Sequence, residues 1–270
     1  MPLTRVAPRI HYDVHGAAGP DVVLVMGFGM RGAIWKPQTD DLARDHRLVT
    51  MDHRGLGQSP EPAHFPLSMK TLAADVLAVV DDVGMPRPHL VGVSMGGMIA
   101  QELAVTHPDR FASLSLIATH PGRSATTVPP IRSIRNLALA FVGNADQRKT
   151  AFFELLYTDE FVATSDERML LERAKAQLGT PAPLPTLLAQ LSAILRHDTT
   201  SRLGRLRMPV LLVRPDRDRL VRPIGTDRLA RAIPTAEVVR FHDAGHGITF
   251  EKASALNSEL RAFFARASIR

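Results

Sequence analysis

Short apolar runs alternate with amphipathic stretches through the first 120 positions of this chain. Residues 22–26 are continuously apolar, the pattern of a strand covered on both faces of a sheet. Residues 48–51, 89–93 and 112–118 read as further strands. Between them, Leu72, Val76, Val79, Val80 and Val83 fall on one helical face. That helix begins after Ser68, a suitable N-cap, and stops at Gly84, a suitable left-handed C-cap. Residues 95–107 form a second helix, ended by Pro108. Strands separated by helices of about 10–15 residues predict βαβ units and a parallel sheet.

The rhythm breaks between residues 121 and 207, where no strand pattern occurs. Helical spacing predicts helices over 131–141, 148–156, 166–178 and 184–195, with a proline-rich break at 180–185. Strand signals return at 210–213 and 237–241, with a helix near 224–233 and a last one over 251–265. The expectation is an α/β core domain made of residues 1–120 and 208–270, interrupted by a helical cap at 121–207. Within the cap, Leu137, Phe141, Phe152, Phe153, Leu155, Leu156 and Phe161 sit at helical spacing and read as its own core.

Composition narrows the function without naming it. A chain of 270 residues, 45% hydrophobic and 22% charged, is that of a globular protein with one sizeable core. No run approaches the roughly 18–20 apolar residues of a membrane helix, and Arg5, Pro8 and Arg9 break up any signal-peptide core. A cytoplasmic protein without a membrane partner is expected. With no cysteine, disulfides, thiolate chemistry and Cys-ligated zinc are excluded. The net charge of +6 comes from 28 arginines against 5 lysines, and ten of the arginines lie between Arg196 and Arg231. Asp198, Asp216, Asp218 and Asp227 interrupt that stretch, which contains no aromatic residue and no DNA-binding motif. It therefore reads as a solvated face rather than a nucleic-acid surface, with attraction of an anionic small molecule as the alternative.

The chemistry concentrates in Gly92-Val93-Ser94-Met95-Gly96, which lies between a predicted strand and a predicted helix. This is the setting of a nucleophile elbow, a turn so sharp that only small neighbours fit around the serine. The Met95 amide, at the helix N-terminus, is placed to stabilise an oxyanion. A serine hydroxyl needs a general base held by a third group. Among eleven histidines, His246 in Ala244-Gly245-His246-Gly247 is the candidate, just past the last predicted strand. His242 nearby reads as a surface or packing residue, while His53 and His120 lie at the carboxyl ends of strands. The acid should follow residues 210–213, where Asp216 and Asp218 both qualify. The second oxyanion donor is expected from Val25-Met26-Gly27-Phe28-Gly29, through the Phe28 amide.

With these residues assembled, the chain resembles the α/β-hydrolase superfamily over its whole length. The segment Asp52-His53-Arg54-Gly55-Leu56-Gly57-Gln58-Ser59 resembles the D-x-R-G-x-G-x-S loop that buttresses the site, and Trp35 has the family's usual place. Residues 211–221 resemble the G-x-x-D-x-x-V acid loop, whose spacing favours Asp218 over Asp216. Residues 91–103 look most like the 3-oxoadipate enol-lactonase group and related cofactor-free haloperoxidase-like esterases, which carry a four-helix cap. Two positions depart from the pattern: Met26-Gly27 replaces the common His-Gly, and Arg214-Pro215 stands where a small residue and glycine are usual.

The resemblance implies a mostly parallel sheet flanked by helices, with an inserted cap. It further implies a triad of Ser94, His246 and Asp218 with Phe28 and Met95 as oxyanion donors, and no cofactor or metal. The activity implied is hydrolysis of a small-molecule carboxylic ester or lactone through an acyl-enzyme. Arg31, His120 and Arg123 are the expected substrate-binding residues, the arginines for a carboxylate-bearing substrate. Hydrolysis of a C–C bond in a diketone, perhydrolysis by the same triad, and a low-turnover small-molecule receptor are the alternatives. A homodimer is compatible with the sequence, as is a monomer.

Overall fold

Uninterrupted apolar segments become the interior strands of a seven-stranded sheet in the computed structural model, which describes residues 2–122, 124, 128–178 and 182–269. The strands are β1 (Tyr12–His15), β2 (Asp21–Val25), β3 (Arg47–Met51), β4 (His89–Val93), β5 (Ser113–Ile117), β6 (Val210–Pro215) and β7 (Glu237–Phe241). Their order is β1-β3-β2-β4-β5-β6-β7, parallel throughout except that β1 runs antiparallel to β3. The edge strand β1 has only four residues and half-exposed positions, too little pattern to announce itself in the sequence.

Helices α1 (Lys36–Leu42), α2 (Met69–Val83) and α3 (Met95–Thr106) alternate with the early strands. Then α4 (Ile131–Val142), α5 (Ala145–Leu156), α6 (Asp159–Thr164), α7 (Glu167–Leu178) and α8 (Leu184–Arg196) fill the stretch between β5 and β6. After it come α9 (Ile224–Ala232), α10 (Ile248–Glu251) and α11 (Ala253–Ser268). Strand side chains alternate between two cores. Val23, Val25 and Leu90 pack with α2 and α3, whereas Val22, Leu24 and Val91 pack with Trp35, Phe263 and Phe264 on the α1–α11 side. The predicted caps of α2 form: Ser68 Oγ accepts from Thr71 N at 3.1 Å, and Gly84 adopts φ 72°.

The helical stretch differs from expectation in two places. Helix α5 starts three residues before the predicted position, because Asn144 and Gln147 form a reciprocal capping box. The unpredicted α6 has six residues, too few for a periodic signal, and is fixed by Thr158, whose hydroxyl accepts from Phe161 N. An antiparallel bridge between Gly122 and Asp198 ties the two ends of the stretch together beside the sheet. Among the described residues, no helix is long and apolar enough to cross a membrane.

Among the buried histidines of this scaffold, His89, His120 and His197 are held neutral. His89 stacks on Phe264 with centroids 4.5 Å apart, and His120 and His197 face each other at 6.3 Å. Burial lowers each of the three to about 4; nearby positive charge adds to it, from Arg228 at His120 and from His120 at His197. An unfolded chain binds these protons near pH 6.5. Between about pH 6.5 and 4 the unfolded state therefore holds more protons, and stability falls as pH falls. At about 1.4 kcal/mol per pKa unit, the loss over this window amounts to several kcal/mol. Carboxylates such as Asp82, lowered to about 2 by its bonds to Arg5 and Tyr12 against the opposing effect of burial, titrate below it. Urea midpoints should decline steadily from about pH 6.5 to 4.5; a constant midpoint across that range would refute the assignment.

Candidate active site

The sheet order reverses direction after β3, since β3 lies on one side of β2 and β4 on the other. Open α/β sheets form a crevice at the carboxyl ends of the strands at such a point. Ser94 stands there, directly after the fully buried β4 and ahead of α3. Its backbone has φ 56° and ψ −121°, a region that non-glycine residues rarely occupy. Surrounding bonds impose it: Ser94 N donates to Ile117 O at 2.9 Å, and Ser94 O accepts from Thr119 Oγ1 at 2.7 Å. Glycine is required at two flanking positions. A Cβ at Gly92 would stand 2.8 Å from Gly97 Cα, and one at Gly96 would stand 2.7 Å from Met26 O.

His246 arrives on the loop after β7, and Asp218 on the loop after β6. His246 Nδ1 lies 2.7 Å from Asp218 Oδ2, with both residues buried. Asp218 Oδ1 accepts from the amides of Leu220 and Val221, each at 2.8 Å, so the carboxylate is held in one orientation. The competing pair finds its own arrangement outside the cavity. Asp216 bonds to Arg214 and to the exposed His242 at 2.6 Å. The glycines flanking His246 serve close packing rather than freedom of the ring. Gly245 N donates to Glu251 Oε2 and Gly247 N to Leu156 O, each at 2.6 Å. Glu251 also accepts from the amide and hydroxyl of Thr158, linking the histidine loop to the start of α6.

The loop after β2 passes over Ser94. A Cβ on Gly27 would lie 3.2 Å from Ser94 Cβ. Among the described residues, neither the Phe28 amide nor the Met95 amide donates to a protein acceptor. Two side chains hold this loop: His53, which the sequence placed at the carboxyl end of a strand, and Gln190, which no sequence signal marked. His53, fully buried, bonds through Nε2 to Met26 O at 2.8 Å; burial lowers its pKa, so Nε2 carries the proton of a neutral ring. Gln190 of α8, also fully buried, accepts from Gly29 N at 2.9 Å, while Phe141 of α4 meets Phe28 edge-on at 5.2 Å. The Asp52 loop works as expected of a buttress: its carboxylate accepts from Gly32 N and Gln58 N, both at 2.9 Å.

Ser94, His246 and Phe28 line one narrow cavity of about 80 Å³. Ser94 and His246 share this lining without a hydrogen bond between the Ser94 hydroxyl and the imidazole. Leu137, Phe141, Leu155 and Leu156 pack in one apolar cluster with Ala140 and Ala151, as expected, and together with Phe152 they also line the cavity. Phe153 and Phe161 turn away, against Tyr157. The substrate residues expected from chain position need correction. Arg31 is absent from the lining, because its guanidinium reaches out to Ala176 O at 3.1 Å. His120 is also absent, being buried against His197 and close to Gly225. Arg123 lies outside the described residues. Of the arginines around the acid loop, Arg214, Arg217 and Arg219 pair with Asp227, Glu160 and Asp159. The arginine that does line the cavity is Arg173, from α7, which no local motif marked.

Comparison with known proteins places these features in context. The family described as alpha/beta hydrolase fold matches residues 20–253. A curated relative from Caulobacter vibrioides, named "Putative carbamate hydrolase RutD", is 31% identical over 259 residues, covering 94% of each chain. Among solved structures, the enol-lactonase of Burkholderia xenovorans LB400 superposes with a TM-score of 0.84 at 24% identity, covering 98% of this chain and 100% of that one. Est816, described as an N-acyl homoserine lactone degrading enzyme, gives 0.79 at 27% identity over 97% and 100% of the two chains.

Proposed function

The chain belongs to the alpha/beta hydrolase fold family, and from that premise we propose that it is a serine hydrolase of small carboxylic esters or lactones. The observation that carries this reading is the 2.7 Å His246–Asp218 bond beside a cavity that Ser94 also lines. In the proposed cycle, Ser94 Oγ attacks the acyl carbonyl and its proton passes to His246 Nε2. Asp218 keeps the Nδ1 proton in place and stabilises the imidazolium. The Phe28 and Met95 amides receive the oxyanion. Collapse expels the alcohol, which takes the proton from His246, leaving an acyl-enzyme on Ser94. His246 then deprotonates a water that attacks the ester carbon and releases the acid.

Residues 121–207 act as the cap over this site, on a core of residues 1–120 and 208–270. The small apolar cavity supports short substrates, since drug-sized ligands occupy sites of roughly 300–1,000 Å³. The relatives named as carbamate hydrolases favour a second substrate class, because a carbamate carbonyl accepts the same attack. Proton release from a panel of methyl esters, small lactones and carbamates tests both. Turnover should be greatest for short acyl groups and fall as the chain lengthens beyond the cavity. Absence of turnover across the panel, in folded protein, would refute the reading.

A further inference from the structure

Several half-buried arginines pair with carboxylates: Arg54 with Asp75, Arg202 with Glu102 and Arg214 with Asp227. Arg173 is more deeply placed than these and has no such partner among the described residues. It is 7% exposed and lines the cavity with Ser94 and His246. Its Nη1 donates to Ile34 O at 3.1 Å, and its guanidinium carbon lies 4.6 Å from the centroid of the Phe250 ring. Its Nε–H is buried without an acceptor. The buried Tyr157 hydroxyl is the polar neighbour of the guanidinium, close enough to interact with it though short of a well-formed hydrogen bond. Glu251, whose oxygens accept from Thr158 and Gly245, makes no ion pair with Arg173.

A buried cation facing one carbonyl, a neutral hydroxyl and an aromatic ring, with no carboxylate paired to it, is incompletely compensated. Apart from Ser94, His246 and Thr249 the remaining walls are apolar or glycine, a setting in which a cation is poorly solvated. A guanidinium with a free edge is the geometry that receives a carboxylate through charge-assisted hydrogen bonds.

We propose that Arg173 is a substrate-anion subsite, and that the natural substrate is a small ester or lactone bearing a carboxylate. This rests on the reading of Ser94 as the nucleophile of the same cavity. Binding places the carboxylate on the Nε edge and the acyl carbonyl near Ser94, so an anionic substrate gains affinity and orientation that a neutral isostere lacks.

Two ester pairs test the proposal, one with the carboxylate on the acyl side and one with it on the alcohol side. These are monomethyl succinate against methyl butyrate, and acetoxyacetate against ethyl acetate. In at least one pair the anionic ester should have the higher kcat/KM, and Arg173→Met should shrink that preference by roughly 10- to 100-fold. Arg173→Lys, which keeps the charge without the fork, should fall between. Equal kcat/KM within both pairs, or a preference untouched by Arg173→Met, would overturn the subsite. Calorimetric titration of wild-type protein with succinate and with succinamide reads the subsite without turnover. It also serves if Arg173→Met fails to fold. Succinate should bind at least about 10-fold more tightly, and equal binding overturns the proposal. Succinate binding without hydrolysis of any ester would instead remove the hydrolase reading and leave the anion site standing.

Discussion

Replacing Ser94 by alanine is expected to lower kcat for the best substrate of the panel by about 10⁴-fold or more. The fold should survive the change. Ser94 is held through its backbone, by the bonds to Ile117 O and from Thr119 Oγ1, and its hydroxyl makes no hydrogen bond to any described residue. Alanine has the same Cβ and meets the same strain at φ 56°. The unfolding free energy should therefore stay within about 0.5 kcal/mol of wild type, while KM changes little. Any residual rate would come from the oxyanion donors and from substrate binding. Steady-state kinetics alongside urea denaturation measure both quantities. A Ser94→Ala protein that is folded and retains a tenth or more of its activity would rule out the elbow as the reacting centre.

Asp218→Asn is expected to cost nearly as much, about 10⁴-fold in kcat, for a reason specific to this acid loop. Oδ1 accepts from two amides, Leu220 N and Val221 N, so the asparagine oxygen must stay at that position. The asparagine NH₂ then faces His246 Nδ1 in place of the acceptor now 2.7 Å away. Nδ1 becomes an acceptor, the ring proton moves to Nε2, and His246 can no longer take the proton of Ser94. Asp216→Asn supplies the control, because Asp216 serves Arg214 and His242 outside the cavity. Its kcat should remain within a few-fold of wild type. A larger loss from Asp216→Asn than from Asp218→Asn would reverse the assignment.

Features set by local chain geometry were legible in the sequence. The elbow was readable because its constraint is local: a strand, a serine between two glycines, and a helix. The parallel sheet followed from uninterrupted apolar runs, and the caps of α2 from Ser68 and Gly84. Asp216 and Asp218, by contrast, share one loop, and only the resemblance of its spacing to the family's acid loop favoured Asp218. The pairing of Asp216 with His242 and of Asp218 with His246 separates them spatially.

What escaped depends on contacts between distant positions. Gln190 reaches Gly29 across 161 residues, Glu251 reaches Thr158 across 93, and Arg173 reaches Ile34 across 139. No spacing rule encodes such meetings, and each of these side chains looks like an ordinary polar residue of a helix. Arg31 and His120 were misjudged for the converse reason. Both are close in the chain to site segments, yet Arg31 points to α7 and His120 packs beneath the surface on His197. The +6 charge is similarly reduced to particulars. Arg214, Arg217 and Arg219 around the acid loop are paired with carboxylates, whereas the buried Arg173 has none among the described residues.

The central claim is that Ser94 becomes acylated. It is tested most directly by exposing the protein to a fluorophosphonate, locating any adduct by peptide mass spectrometry, and following activity in parallel. The account predicts one phosphonyl group per chain, on Ser94, with inactivation proportional to labelling. Asp218→Asn should be labelled far more slowly than wild type. Full activity after prolonged exposure, or inactivating adducts on a residue other than Ser94, would contradict it.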